Sequence, residues 1–177
     1  MDKDKKNILE LTNCSLGEYR QMEKLPVAVL LDNVRSMYNV GSVFRTSDAF
    51  LISEVILCGI TGQPPHPEIS KTALGAEESV KWKYYENALE AVKEKKKEGW
   101  CVCVLEQAHG SIPLQNFIPS SDFKYLLVAG NEVEGVSQEI VDLSDIILEI
   151  PQHGVKHSLN VSVSVGIALW KLVEFRQ

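Results

Sequence analysis

A chain of 177 residues, 45% of them hydrophobic, can bury one substantial core, and no Pro/Ser/Gly-rich linker divides it. No apolar run reaches the roughly 18 residues that a membrane span requires, and the opening MDKDKKNILE has mixed charge and no apolar signal core, so a cytoplasmic location is expected. The net charge of −6 argues against a broadly cationic surface, so contact with nucleic acid would need a local basic strip.

Residues 1–24 read as a short helical extension before a domain over 25–177, and Lys3, Lys5, Lys6 and Arg20 are candidate contributors to such a strip. PVAVLLDNV predicts a strand near 26–31, after which Asn39-Val40-Gly41-Ser42 leads into a helix near 41–50 that carries Arg45. A second strand is expected near 54–58, followed by TGQPPHPEISKT, residues 61–72, as a proline-rich surface loop. The helix near 87–98 ends at Gly99, and its run Lys93-Glu94-Lys95-Lys96-Lys97 reads as a solvated face. WCVCVL gives a strand near 100–105. Its Cys101 and Cys103 point to one side and, with Cys14 and Cys58, lack CxxC spacing, so buried thiols are expected rather than disulfides or zinc ligands.

KYLLVA, near 125–129, runs into Gly130-Asn131-Glu132-Val133-Glu134-Gly135, and Ser137 opens a short helix near 137–142. DIILEI ends a strand near 146–150, where Pro151 withholds an amide donor. Gly154 allows close backbone approach. From Ser158, read as an N-cap, apolar residues recur at helical spacing (Val161, Val165, Ala168, Leu169, Leu172, Val173), which predicts a helix near 158–175 with Asn160 in its first turn. His153 and His157 are four apart, but Gly154 between them argues against a helix that would hold both on one face, and no metal is expected. Strands alternating with helices predict an α/β domain, a mostly parallel sheet with helices on both faces. In such a sheet, ligands bind outside the carboxyl ends of the strands, so the three polar turns can converge on one crevice.

NVGSVFRT, GNEVEG and IPQHGVKHSLNVSVSVGIAL resemble, in order and spacing, the three motifs of the SpoU (TrmH-like) branch of the SPOUT methyltransferases. The resemblance covers the chain from about Leu25 onward. It implies an S-adenosylmethionine-dependent RNA ribose 2′-O-methyltransferase acting on tRNA or rRNA, with tRNA ahead. It also implies a C-terminal deep trefoil knot and a homodimer, for which the apolar Trp170, Leu172, Val173 and Phe175 would supply a surface. By the same resemblance the catalytic positions are Asn39, Arg45, Glu132, Ser158 and Asn160. The methyl donor would lie against Leu105, Ala129, Gly130, Asn131, Gly135, Ile150, Gln152, Gly154, Ser158 and Leu159. The sequence departs from the family pattern at Gln152, where methionine is usual.

Taken singly, these residues have plainer roles: Arg45 would pair with a carboxylate such as Glu132, Asn39 and Ser158 would cap helices, and the glycines would form turns. With the whole motif set present, Arg45 is expected to grip the phosphate beside the target ribose while Glu132 orients it. Arg35 and Lys156 are further candidates for RNA contact. A SPOUT-type base methyltransferase and a non-catalytic RNA-binding scaffold of the same fold are the alternatives.

Overall fold

The computed structural model describes residues 4–5, 14–156 and 158–174, so Lys3, Lys6, His157 and Phe175 lie outside the described residues. Its elements, in chain order, are α1 (Leu16–Gln21), β1 (Leu25–Asp32), α2 (Met37–Ala49), β2 (Ile52–Cys58), α3 (Pro67–Ala73), α4 (Ala76–Ser79), β3 (Trp82–Tyr85), α5 (Ala88–Lys97), β4 (Trp100–Leu105) and β5 (Ile112–Pro113). A 3₁₀ turn (Leu114–Asn116), β6 (Lys124–Ala129), α6 (Gln138–Leu143), β7 (Ile146–Glu149) and α7 (Val161–Val173) follow. None of the described helices is long and apolar enough to cross a membrane.

The seven strands pair in parallel throughout, in the order β3-β2-β1-β6-β4-β7-β5. The period-two alternation of a strand divides their side chains between two cores. Val27, Val29, Leu31, Leu127 and Ala129 pack with Val40, Phe44, Ile69 and Leu169 from α2, α3 and α7. Ala28, Leu30, Val102, Leu126 and Val128 pack with Ala91, Val92 and Ile140 from α5 and α6. Because both faces are covered, β1 and β6 read as unbroken apolar runs. Cys58 and Cys103 are buried, as expected, whereas Cys14 and Cys101, the latter packed against the same core as Cys103, are only half-buried.

Three local expectations need correction. Residues 61–72 are not wholly loop: α3 starts at Pro67, where a helix has no use for the missing amide, behind His66 as N-cap, and it buries Ile69 and Ala73. The edge strand β3 and the two-residue β5 also escape the sequence, being too short for periodicity to register. Nor is the lysine run of α5 uniformly solvated. Lys95 is buried against Glu54 and Glu98, and Lys96 pairs with Asp145, so both cations are engaged within the fold.

Candidate active site

β1, β6, β4 and β7 are neighbours, and all their carboxyl ends point the same way. Beyond the ends of β6, β4 and β7, and beside the start of α7, lies a cavity of about 290 Å³. Leu105, Glu106 and Gln107 line it after β4, the turn Ala129–Gly135 after β6, Ile150 and Gln152 after β7, and Ser158, Leu159, Val161 and Ser164 at the entry to α7. This is the lower end of the usual range for small-molecule pockets, roughly 300–1,000 Å³. Of the ten positions expected to meet a donor, nine line it. Gly154 does not: a Cβ there would meet nothing within 4 Å, so no close approach explains this glycine.

The turn after β6 is built by its own residues. The Asn131 side-chain oxygen accepts the amides of Val133 at 3.0 Å and Glu134 at 2.9 Å, while its carbonyl accepts the Gly135 amide at 3.1 Å. Gly135 sits at φ +69°, where side chains are disfavoured. Gly130 faces it so closely that a Cβ would lie 1.9 Å from the Gly135 carbonyl carbon. Both glycines are therefore required by shape.

Three motifs meet in one hydrogen-bond chain. Asn39 donates from Nδ2 to Glu132 Oε1 at 2.8 Å, and Asn160 donates from Nδ2 to Asn39 Oδ1 at 3.0 Å. Asn160 Oδ1 in turn accepts the amides of Ser162 at 2.9 Å and Val163 at 3.4 Å, which opens α7. The carboxylate sets the polarity of the chain: it can only accept, so Asn39 must turn its amide nitrogen toward it and its oxygen toward Asn160. Asn160, rather than Ser158, is thus the N-cap, and α7 begins at Val161. Its oxygen reaches the second and third helical amides as a cap must, whereas Ser158 lies two residues before the cap and lines the cavity instead.

Arg45 stands apart. It is exposed, does not line the cavity and makes no ion pair with a described residue, so Glu132 orients Asn39 and not Arg45. Helix geometry supplies the reason: six residues beyond Asn39 on α2, Arg45 lies about 9 Å farther along the axis and about 120° around it. Close by, Thr46 meets Gly166 and Phe50 stacks obliquely on Trp170, at 5.9 Å between ring centroids, so α2 runs against α7.

Two carboxylates at strand ends escape a motif-based reading. Glu106 follows β4 as Gly130 follows β6, and the rule that ligands bind beyond strand ends could have found it. Asp32 ends β1; it is buried, and burial pushes its carboxyl above the usual carboxylate range, partly offset by hydrogen bonds from Ser137 and Asn33.

Residues 26–170 match the model of the SpoU rRNA Methylase family. The chain is 32% identical over 146 residues to an uncharacterized tRNA/rRNA methyltransferase of Borreliella burgdorferi, covering 81% of this chain and 62% of the relative. It is 30% identical to a tRNA (guanosine(18)-2'-O)-methyltransferase of Aquifex aeolicus, covering 96% of this chain and 79% of that one. Its fold superposes on an AdoMet-bound rRNA methyltransferase from Sinorhizobium meliloti with a TM-score of 0.80 at 26% identity, covering 90% of this chain and 60% of that one. The chain therefore spans under two thirds of the Borreliella and Sinorhizobium proteins.

Proposed function

Since the chain belongs to the SpoU methylase family, we propose that it is an RNA ribose 2′-O-methyltransferase that uses S-adenosylmethionine, with tRNA ahead of rRNA as substrate. The observation that carries this reading is the chain Glu132–Asn39–Asn160, which joins all three motifs at the edge of the cavity. The Aquifex relative's name gives a tRNA ribose reaction, and the Sinorhizobium neighbour binds the same donor.

The residues present fit that donor. Within its lining, the Gly130–Gly135 turn lets a ligand approach backbone amides and carbonyls closely, and Leu105, Ile150 and Leu159 offer apolar surface to an adenine and a ribose. When bound, S-adenosylmethionine supplies an electrophilic methyl group. Asn39 and Asn160 hold the loops on either side in fixed relation, so the groups that position substrate need no rearrangement. Arg45, with no ion-pair partner among the described residues, is left to grip a phosphate of the RNA and place the 2′-hydroxyl. A guanidinium is a donor with no acceptor, so it does not serve as the base. The hydroxyl proton passes to phosphate or water.

Incubating the protein with bulk tRNA and donor, then digesting the RNA for nucleoside mass spectrometry, should reveal a 2′-O-methylnucleoside. A base-methylated nucleoside, or no product from protein that binds the donor, would overturn the reading in favour of its alternatives. Binding of the donor or its demethylated product should need no added metal and should survive a chelator.

The homodimer and the trefoil knot belong to the same reading. Of the residues expected to supply the partner surface, Leu172 and Val173 are instead buried in this chain's own core, while Leu159, Val163, Ile167 and Trp170, on α7 and just before it, form an exposed apolar stripe at helical spacing, with Trp170 54% exposed, a surface suited to a two-fold partner. Light scattering should give about twice the chain mass, and Val163→Glu should return it to the monomer mass; a wild-type monomer at micromolar concentration would refute the dimer. The knot rests on the family resemblance, and the strand order β3-β2-β1-β6-β4-β7-β5 is compatible with it.

A further inference from the structure

The turn after β6 continues to Ser137, and a carboxylate reaches it from each neighbouring strand. From the end of β4, Glu106 Oε2 accepts the Val136 amide at 3.1 Å, while its Oε1 accepts the Gln107 amide at 2.9 Å. From the end of β1, buried Asp32 accepts the next amide, that of Ser137, at 3.5 Å. The Glu106 amide also donates to the Leu148 carbonyl of β7 at 3.0 Å. One residue thereby ties together the ends of β4, β6 and β7, the three strands whose ends line the cavity. Gly135 makes room for it, since a Cβ there would lie 2.1 Å from Glu106 Oε2.

We propose that Glu106, seconded by Asp32, is a positioning residue that clamps the Gly130–Ser137 loop in the shape that receives the donor. This rests on the reading of the cavity as a donor site. Glutamate suits the position because both of its oxygens accept, one from the Val136 amide of this loop and the other from the Gln107 amide after β4. Glutamine offers one acceptor and turns an NH₂ toward the other amide, while alanine leaves two donors unmatched. A graded response is therefore expected, rather than the all-or-none response of a core residue.

Two measurements test it on the whole chain: calorimetry with S-adenosylhomocysteine, and amide hydrogen exchange on the donor-free protein. Glu106→Ala should weaken binding by about tenfold or more and Glu106→Gln by about threefold, in keeping with one or two hydrogen bonds lost. Exchange at Val136 should accelerate in the same order, with exchange in β1 and β6 unchanged. Asp32→Asn should speed exchange at Ser137 without lowering the melting midpoint, since it removes a buried charge. Wild-type affinity in Glu106→Ala, or weakened affinity with unaltered Val136 exchange, would overturn the clamp. If the wild-type protein itself takes no S-adenosylhomocysteine, the donor-site reading fails, and faster Val136 exchange in the variants still decides whether Glu106 holds the loop.

Discussion

Replacing Arg45 by alanine is expected to lower methyl transfer by about 10²- to 10³-fold, the usual cost of losing one group that stabilises charge in a transition state, while donor affinity stays nearly intact. The structure gives this split its basis. Arg45 neither lines the cavity nor pairs with Glu132, so its removal leaves the donor site and the Glu132–Asn39–Asn160 chain unaltered. What is lost is a planar, permanently charged fork suited to a phosphate. Arg45→Lys should recover a small part, because lysine keeps the charge but not the fork.

The pH dependence separates gripping from proton abstraction. An amine deprotonates more easily than a guanidinium, so a true base at this position would shift the alkaline limb of the lysine variant toward acid. A positioning arginine lowers the height of the profile and leaves its shape alone. Single-turnover transfer at saturating donor, from neutral to alkaline pH, distinguishes the two. A shifted limb would refute the gripping role, and a wild-type rate in the alanine variant would refute both.

The strands, the long helices and the turn positions were legible because parallel strands covered on both faces are unbroken apolar runs ending at Gly, Pro or Asn. β1, β6 and β7 all end within a residue or so of where composition changes. Partners were harder to read. Glu132 and Arg45 belong to adjoining motifs and are oppositely charged, which invites pairing, but which side chain of α2 faces Glu132 is set by helical phase and falls to Asn39. The cap of α7 was misplaced for a related reason. Ser158 and Asn160 are both good caps, and the choice between them depended on Asn39, 121 residues away in sequence, which holds Asn160 at the helix start. The place of Glu106 beyond a strand end is legible in the sequence, but its hold on the β6 turn depends on where β4 lies in the sheet, and strand order has no local signature.

Gly41 shows how far a motif residue can differ from its apparent role. It lies in the first motif, where a glycine invites assignment to the ligand. Yet a Cβ at Gly41 would lie 2.1 Å from Thr72 Oγ1 and 2.3 Å from the Ile69 carbonyl oxygen of α3, with the Ala73 amide nitrogen at 3.1 Å. The Thr72 hydroxyl could rotate, at the loss of its 2.9 Å bond to the Tyr38 carbonyl. The Ile69 carbonyl belongs to the α3 backbone and cannot, so α2 and α3 must separate to admit a methyl group. Within an exposed helix, Gly→Ala stabilises by up to about 1 kcal/mol. Here overpacking of about 1–3 kcal/mol or more outweighs it, and separating the helices also shifts Asn39, two residues away. Gly41→Ala should therefore lower the melting midpoint by several degrees, taking roughly 2–4 °C per kcal/mol for a domain of this size, and weaken activity with it. Gly154→Ala, where a Cβ meets nothing, should change stability by no more than about 0.5 kcal/mol. Thermal melts of the two variants side by side provide the measurement. Equal midpoints would mean that the α2–α3 crossing tolerates a side chain, leaving the glycine of the first motif to be explained by the ligand after all.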